Sequence, residues 1–348
     1  MISKPGRGGQ HPTMDHVAAA AGVSRATVSR VINNAASVAP AIRETVQRAI
    51  ASTGYVPNVA ARSLVTRRSD SVALVISEPD RPDDHSFLNR IFTDPYFGRV
   101  TAGATGALRP HDVHLVVMPA EPSDHHQVVR YLRQGHVDGV LLISSNEHDP
   151  LPAQVHALGI PVVLSSRPPG PLPVSYVDVD QVAGAELAAA RLLSLGRRRL
   201  ATINGPLDIP AGSQRLDGFR SYLRDRGVDG VPAVTGDFTR AGGEAAARVL
   251  LAADPAIDAL FVASDLMAEG ALRAVQDHGR RVPEDIAVVG FDDSSVALEC
   301  RPPLTTVRQP VEEMAAEMAA LLMAHIENPS RSPRSVIFQP SLVIRDSA

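Results

Sequence analysis

From Ser24 to Ile32 the sequence SRATVSRVI separates its residue types at helical spacing. Val28, Val31 and Ile32 fall on one side, and Arg25, Ala26, Ser29 and Arg30 on the other. Guanidinium groups, a hydroxyl and a small methyl on one outward face can hydrogen-bond phosphate oxygens and base edges, which is nucleic-acid-binding chemistry. The charge distribution points the same way. Residues 1–68 hold nine Lys and Arg against two Asp and Glu, a net +7, while the rest of the chain carries −11. The overall net charge of −4 hides this division. A basic head on an acidic body suggests a nucleic-acid module joined to something else. A basic tail without a role is the alternative that charge alone leaves open.

The flanking residues suggest which elements hold that face. Thr13 can cap a helix with Asp15 in its first turn, Val17, Ala20 and Ala21 give it an apolar stripe, and Gly22 ends it. Ser24 can cap the second helix, and the pair then matches a helix-turn-helix unit. A third helix begins near Pro40, buries Ile42, Val46, Ala49 and Ile50, and stops at Gly54. A generic amphipathic hairpin shares this spacing, so the pattern favours DNA binding together with the basic surplus.

The whole chain bounds the other possibilities. Its 348 residues suggest two or three domains. With 44% hydrophobic and 21% charged residues it reads as globular, which excludes disordered and fibrous classes. No apolar run approaches the roughly 18 residues of a membrane helix, and MISKPGRGGQHP has no secretory apolar region, so a cytoplasmic protein with no membrane partner is expected. Cys300 is the single cysteine, which excludes an intrachain disulfide and a cysteine-built zinc site. There is no G-x-S-x-G, P-loop or H-E-x-x-H motif. The pairs His111/His114 and His125/His126 lie in polar segments and read as surface histidines. No catalytic residue, cofactor or metal is expected.

Beyond residue 70 apolar runs alternate with helical stretches. Strands are expected at 71–77, 113–118, 137–144 and 160–165, then at 200–204, 231–235, 257–264 and 286–291. Helices are expected near 96–109, 123–135, 181–195, 212–226, 239–252 and 265–278. Two βαβ series imply an α/β core of two doubly wound lobes. RPPGPLP at 167–173 reads as the crossing between them, and a helix near 311–326 followed by SVIFQPSLVIR reads as a return through both. The expected division is a head at 1–56, a linker at 57–69 and a core at 70–348. Lobe 1 then takes about 70–168 and 304–332, and lobe 2 about 172–300 and 334–348. Ligands of such sheets bind beyond the carboxyl ends of the strands, here between the lobes. The polar stretch 79–90 reads as a mobile loop or as part of the cleft rim.

MDHVAAAAGVSRATVSRVINN from Met14 to Asn34 and TGYVPNVAARSL from Thr53 to Leu64 closely resemble the DNA-binding head of the lactose-repressor (LacI/GalR) family of bacterial transcription regulators. The family string runs DVAxxAGVSxxTVSRVxN…GYxPNxxARSL, and this chain departs from it mainly at His16. The resemblance continues more weakly to the end and implies a periplasmic-binding-protein-like core. It implies that α-helical residues 25–32 enter the major groove. Arg25 and Ala26 would sit where the family chooses its operator, and Arg30 would be a further base or phosphate contact. Ser24, Thr27, Ser29 and Asn33 would contact phosphate, and Thr13 would also contact DNA. Residues 58–65, with Asn58 and Ala61, would form a hinge helix that folds on DNA, and Leu64 would wedge between base steps. An ordinary core leucine is the other reading of Leu64.

The same resemblance implies an effector site. Tyr96 and Phe97 open the first helix of lobe 1, and Ser166 and Arg167 follow its fourth strand. GPLDIPAGSQRLDGF (205–219) matches the family cleft loop, with Asp208 in its variable part and Arg215 on its arginine. Phe238 matches a stacking aromatic, Ser264 and Asp265 end a strand, and Asp292 in VGFDD matches the ligand aspartate. Arginine, carboxylates and flat rings suit a sugar, and apolar Ile209 argues against a purine. Plainer readings are a lobe-closing ion pair for Arg215, a core ring for Phe238 and a helix cap for Asp292. DGVLLIS, LATINGP, FVASDLMAEGALRA and RPPLTTVRQP resemble regulators that respond to disaccharides or oligosaccharides of the cellobiose or maltose type. The family implies a homodimer on a palindromic double-stranded DNA operator, released by a small-molecule sugar. No zipper-like tail suggests a tetramer. The competing classes are a regulator read by a co-repressor or protein co-effector, and a ligand-binding protein or sugar-handling enzyme with no DNA role.

Overall fold

The computed structural model describes residues 12–32, 35, 37–55, 68–77, 87–143, 146, 148–168 and 170–348. Asn33, the expected hinge helix with Asn58, Ala61 and Leu64, and most of the 79–90 stretch lie outside the described residues. The chain divides into two compact units, Met1–Ser69 and Asp70–Ala348.

The first unit contains α1 (Met14–Ala21), α2 (Arg25–Ile32) and α3 (Pro40–Thr53). Thr13 is the N-cap of α1, and its N–H donates to Nδ1 of His16 at 3.2 Å. His16, the departure from the family string, therefore accepts the bond that a capping-box glutamate takes elsewhere. Gly22 closes α1 at φ +64°, a conformation that costs glycine little. The Ser24 hydroxyl accepts from the Thr27 N–H at 3.1 Å and caps α2. Val17, Ala18, Val28, Val31, Val46, Ala49 and Tyr55 meet in one small core.

The second unit contains two six-stranded sheets. Lobe 1 orders its strands β11-β5-β4-β3-β1-β2, with β1 Ser71–Ser77, β2 His114–Ala120, β3 Gly139–Ile143, β4 Val162–Leu164, β5 Ser175–Val179 and β11 Ser335–Phe338. Lobe 2 orders them β12-β10-β9-β8-β6-β7, with β6 Leu200–Asn204, β7 Ala233–Thr235, β8 Ala259–Val262, β9 Ala287–Asp292, β10 Thr305–Arg308 and β12 Ser341–Val343. Among the described strands, only the β10–β12 pairing is antiparallel. Along β1, Val72, Leu74 and Ile76 enter one core while Ala73 and Val75 enter the other. Both faces of the sheet are covered, which explains the continuous apolar run.

The lobe boundaries differ from the sequence expectation. Residues 167–173 are not the crossing, because β5 pairs in parallel with β4 and stays in lobe 1. The chain crosses at Asp180, and the helix Gln181–Ser194 packs in lobe 2 through Ala185, Ala188 and Leu192. β10 belongs to lobe 2, so the second crossing follows Arg308 rather than preceding residue 304. β11 belongs to lobe 1, which moves the third crossing to residues 339–340. Two short strands beside prolines and a two-residue link carry too little local periodicity to show which sheet they join.

Candidate functional site

The sheets place most of the expected effector residues in one inter-lobe cleft of about 810 Å³, a volume that includes space open to solvent. Its lining includes Tyr96, Phe97, Ser166, Arg215, Phe238, Ser264 and Asp292 from the sequence expectation. They come from strand ends and helix starts. Asp94 caps the helix Pro95–Leu108 by accepting from the Tyr96 N–H at 2.9 Å, which brings Tyr96 and Phe97 to the cleft. Ser264 caps the helix Asp265–Asp277 by accepting from Met267 N–H at 3.2 Å. Asp292 is the last residue of β9.

Arg215 lies at the centre of a hydrogen-bonded chain. It is 4% exposed, on the helix Pro210–Arg224. Its Nε donates to Oε1 of Gln181 at 2.8 Å and its Nη1 donates to the Ala263 carbonyl at 2.6 Å. The guanidinium stacks 3.6 Å over the Phe291 ring and lies 3.8 Å from Oδ1 of Asp292. Gln181 in turn donates to Oδ1 of Asp178 at 3.1 Å. Asp292 Oδ1 accepts from Nε2 of Gln309 at 2.5 Å. The chain therefore runs from the end of β5 in lobe 1, through the crossing residue Gln181, to β9 in lobe 2. Asp178, Gln181 and Gln309 also line the cleft, and sequence reading did not find them.

The electrostatics follow from burial. Burial pushes the Asp178 carboxyl above its usual range, against bonds from Gln181, Val179 and Arg167 that favour its charge. Burial raises Asp292 too, opposed by Arg215. Burial raises Asp265 well above the usual value, and the nearby Asp292 charge adds to it. Burial, with Asp178 and Asp292 adding, also raises the Tyr96 phenol and keeps it a neutral donor. Burial lowers Arg215, which stays charged as arginines do.

Three expected residues are placed outside the lining. Asp265 is fully buried beneath it, accepting from the Thr306 hydroxyl at 2.5 Å and from Ser294 N–H at 2.7 Å. Arg167 is exposed, and its backbone N–H reaches Asp178 Oδ2 at 3.4 Å. Asp208 is exposed, while its neighbours Ile209, Pro210 and Ala211 line the cleft. The plainer readings divide. Asp292 is not a helix cap, because Ser294 takes that position for Ser295–Glu299. Phe238 packs partly against the lobe 2 core and still faces the cleft. It holds φ +64°, and a Cβ on Gly205 would lie 2.1 Å from its ring, so only glycine lets the ring approach there.

Ser24, ahead of α2, is exposed, as are Arg25, Ala26 and Arg30 on it, and Thr27 and Ser29 are half-buried. Thr13 is exposed at the start of α1. Arg25 Nε lies 3.9 Å from Asp15 Oδ1, an exposed pair that contributes little to stability and leaves the guanidinium able to exchange partners.

Two family models match the chain: residues 13–58 match "Bacterial regulatory proteins, lacI family", and residues 173–348 match "Periplasmic binding protein-like domain". The HTH-type transcriptional regulator CelR of Thermobifida fusca is 46% identical over 344 residues, covering 97% of this chain and 98% of its own. This chain belongs to the LacI family of bacterial transcription regulators. The ribose operon repressor of Escherichia coli K12 is 32% identical over 97% of this chain and 99% of its own. Among solved structures, a transcriptional regulator CelR–cellobiose complex matches with TM-score 0.76 and 43% identity, over 97% of this chain and all of that one. A lac repressor dimer bound to operator and an anti-inducer matches with TM-score 0.82 and 26% identity, over 97% and 99%. As in these LacI-family relatives, a helix-turn-helix head precedes a two-lobed core. Among the described residues no helix is long and apolar enough to cross a membrane.

Proposed function

We propose that this chain is a sugar-responsive repressor that binds a palindromic operator as a homodimer and releases it when a cellobiose-type disaccharide occupies the cleft. The observation that carries this reading is the Asp178–Gln181–Arg215–Asp292 chain, which lines one cleft and joins the two lobes. Carboxylates and amides accept from and donate to sugar hydroxyls, and the rings of Tyr96, Phe97 and Phe238 cover an apolar sugar face. The end-to-end similarity to CelR supports a glucose disaccharide over a monosaccharide. The protein acts in the cytoplasm by binding, without catalysis. Arg25 and Ala26 choose the operator, Arg30 adds a base or phosphate contact, and Thr13, Ser24, Thr27 and Ser29 position the backbone. A dimer presents two heads to two half-sites, which accounts for a palindrome. Titration calorimetry with cellobiose, maltose and ribose tests the ligand class. Cellobiose binding with weaker or no binding of the other two supports the reading, and binding of ribose alone overturns it.

A further inference from the structure

Arg99 lies one turn into the helix Pro95–Leu108 and does not line the cleft. Its side chain is held from both lobes. Nε and Nη2 form a bidentate pair with the two carboxylate oxygens of Glu312, each at 2.8 Å. Nη1 donates to the backbone carbonyl of Asp292 at 2.9 Å, and Nη2 also approaches the carbonyl of Gln309 at 3.3 Å. Glu312 lies in the first turn of the helix Val311–Glu327, which packs with Pro95–Leu108 in the lobe 1 core. The two helices meet so closely that a Cβ on Gly103 would lie 2.3 Å from the Glu312 carbonyl oxygen. Arg99 is thus fixed to a rigid helix pair of lobe 1 while it holds a backbone atom of lobe 2.

The residue it holds is unusual. Asp292 and Asp293 adopt φ +117° and +50°, which non-glycine residues seldom do. The Asp293 carboxylate is fixed within lobe 2 by Arg308 at 2.6 Å and Arg345 at 2.5 Å. The Asp292 carboxylate is bonded to Gln309, whose own carbonyl faces Arg99. A closed ring results: Asp292 carboxylate, Gln309, Arg99, Asp292 carbonyl. A strained backbone persists where its surroundings over-determine it, and here those surroundings include the opposite lobe.

We infer that Arg99 is a positioning residue that couples cleft occupancy to the angle between the lobes. This role rests on the sugar-response reading and deepens it. A ligand hydroxyl that bonds to the Asp292 carboxylate alters one member of the ring. The Asp292 carbonyl then shifts against a guanidinium that Glu312 prevents from following. Coupling of this kind needs a two-state element that both sites bias, and the lobe angle is that element.

The test measures operator affinity of the full chain with and without saturating cellobiose, and cellobiose affinity without DNA, for wild type, R99Q, R99K and E312Q. Glu312 is 45% exposed, so losing its partner leaves a solvated carboxylate and R99Q should fold. The ratio of the two operator affinities is the coupling factor, of order 5–150-fold in allosteric proteins. The expected result is a coupling factor about tenfold smaller in R99Q, with cellobiose affinity changed by less than about threefold. R99K should retain part of the response, since an ammonium can keep one acceptor but not the bidentate fork. E312Q should fall between R99K and wild type. A merely structural Arg99 would lower the melting temperature and leave the coupling factor unchanged, and that result overturns the inference. A wild-type coupling factor of one overturns the sugar-response reading itself, and the role of Arg99 with it.

Discussion

Arg25 and Arg30 on α2 are exposed on a head held together by seven buried residues, whereas Arg215 is 4% exposed between two sheets and bonded on several sides. The head offers its polar groups to a partner at little structural cost. The cleft builds the same residue types into its framework: Asp178, Gln181 and Arg215 bond to one another as well as facing the ligand space. Substitutions on α2 should therefore change binding alone. Substitutions under the cleft should change stability and binding together, to an extent set by depth.

The largest effect separates support from contact. Asp265→Ala removes the acceptor for the buried Thr306 hydroxyl and Ser294 N–H, and should cost about 3 kcal/mol in urea unfolding. Asp265→Asn should cost less, because burial already favours the uncharged carboxyl. Equal losses would show that charge, not shape, is what the site requires.

Arg215→Met should come next. It should weaken cellobiose binding by about 3 kcal/mol while operator binding without sugar persists. Loss of operator binding as well would show that removing the Arg215 bonds to Gln181 and Ala263 unfolds the core rather than only emptying the cleft of its donor.

On the head, Arg25→Ala should weaken operator binding by about 1–3 kcal/mol and relax specificity at one base pair, with no change in melting temperature. A lower melting temperature would erase the contrast between the two regions.

The smallest expected effect is a pH dependence confined to the cleft. Burial raises the Asp178 and Asp292 pKa values, and sugar hydroxyls bond best to their charged forms. Ligand binding therefore expels a proton from whatever fraction is protonated. Cellobiose affinity should be full above the raised pKa values and fall as the pH drops through them. Calorimetry between pH 8 and pH 5 measures this, and affinity that rises toward acid would contradict it.

The two regions also differed in how far the sequence revealed them. The head's caps and stops are local, so Thr13, Gly22, Ser24 and Pro40 marked its helices from neighbours a few residues away. Only His16, which departs from the family string, needed the structure to show its bond to Thr13. The cleft depends on parallel strands that pair across long stretches of chain. Asp178, Gln181 and Gln309 went unseen because β5 and β10 are short, next to proline-rich segments, and join sheets that local periodicity does not identify. Arg167 and Asp208 show the opposite limit. Each is adjacent to lining residues, yet one step along the chain turned the side chain out to solvent.

One chain is proposed to join an operator-reading head to a sugar-reading cleft. Fluorescence anisotropy tests it most directly, with a labelled palindrome from upstream of the protein's own gene titrated with the full chain and then with cellobiose. Specific binding that cellobiose reverses and maltose does not is the expected result. Specific binding that no sugar alters would contradict it.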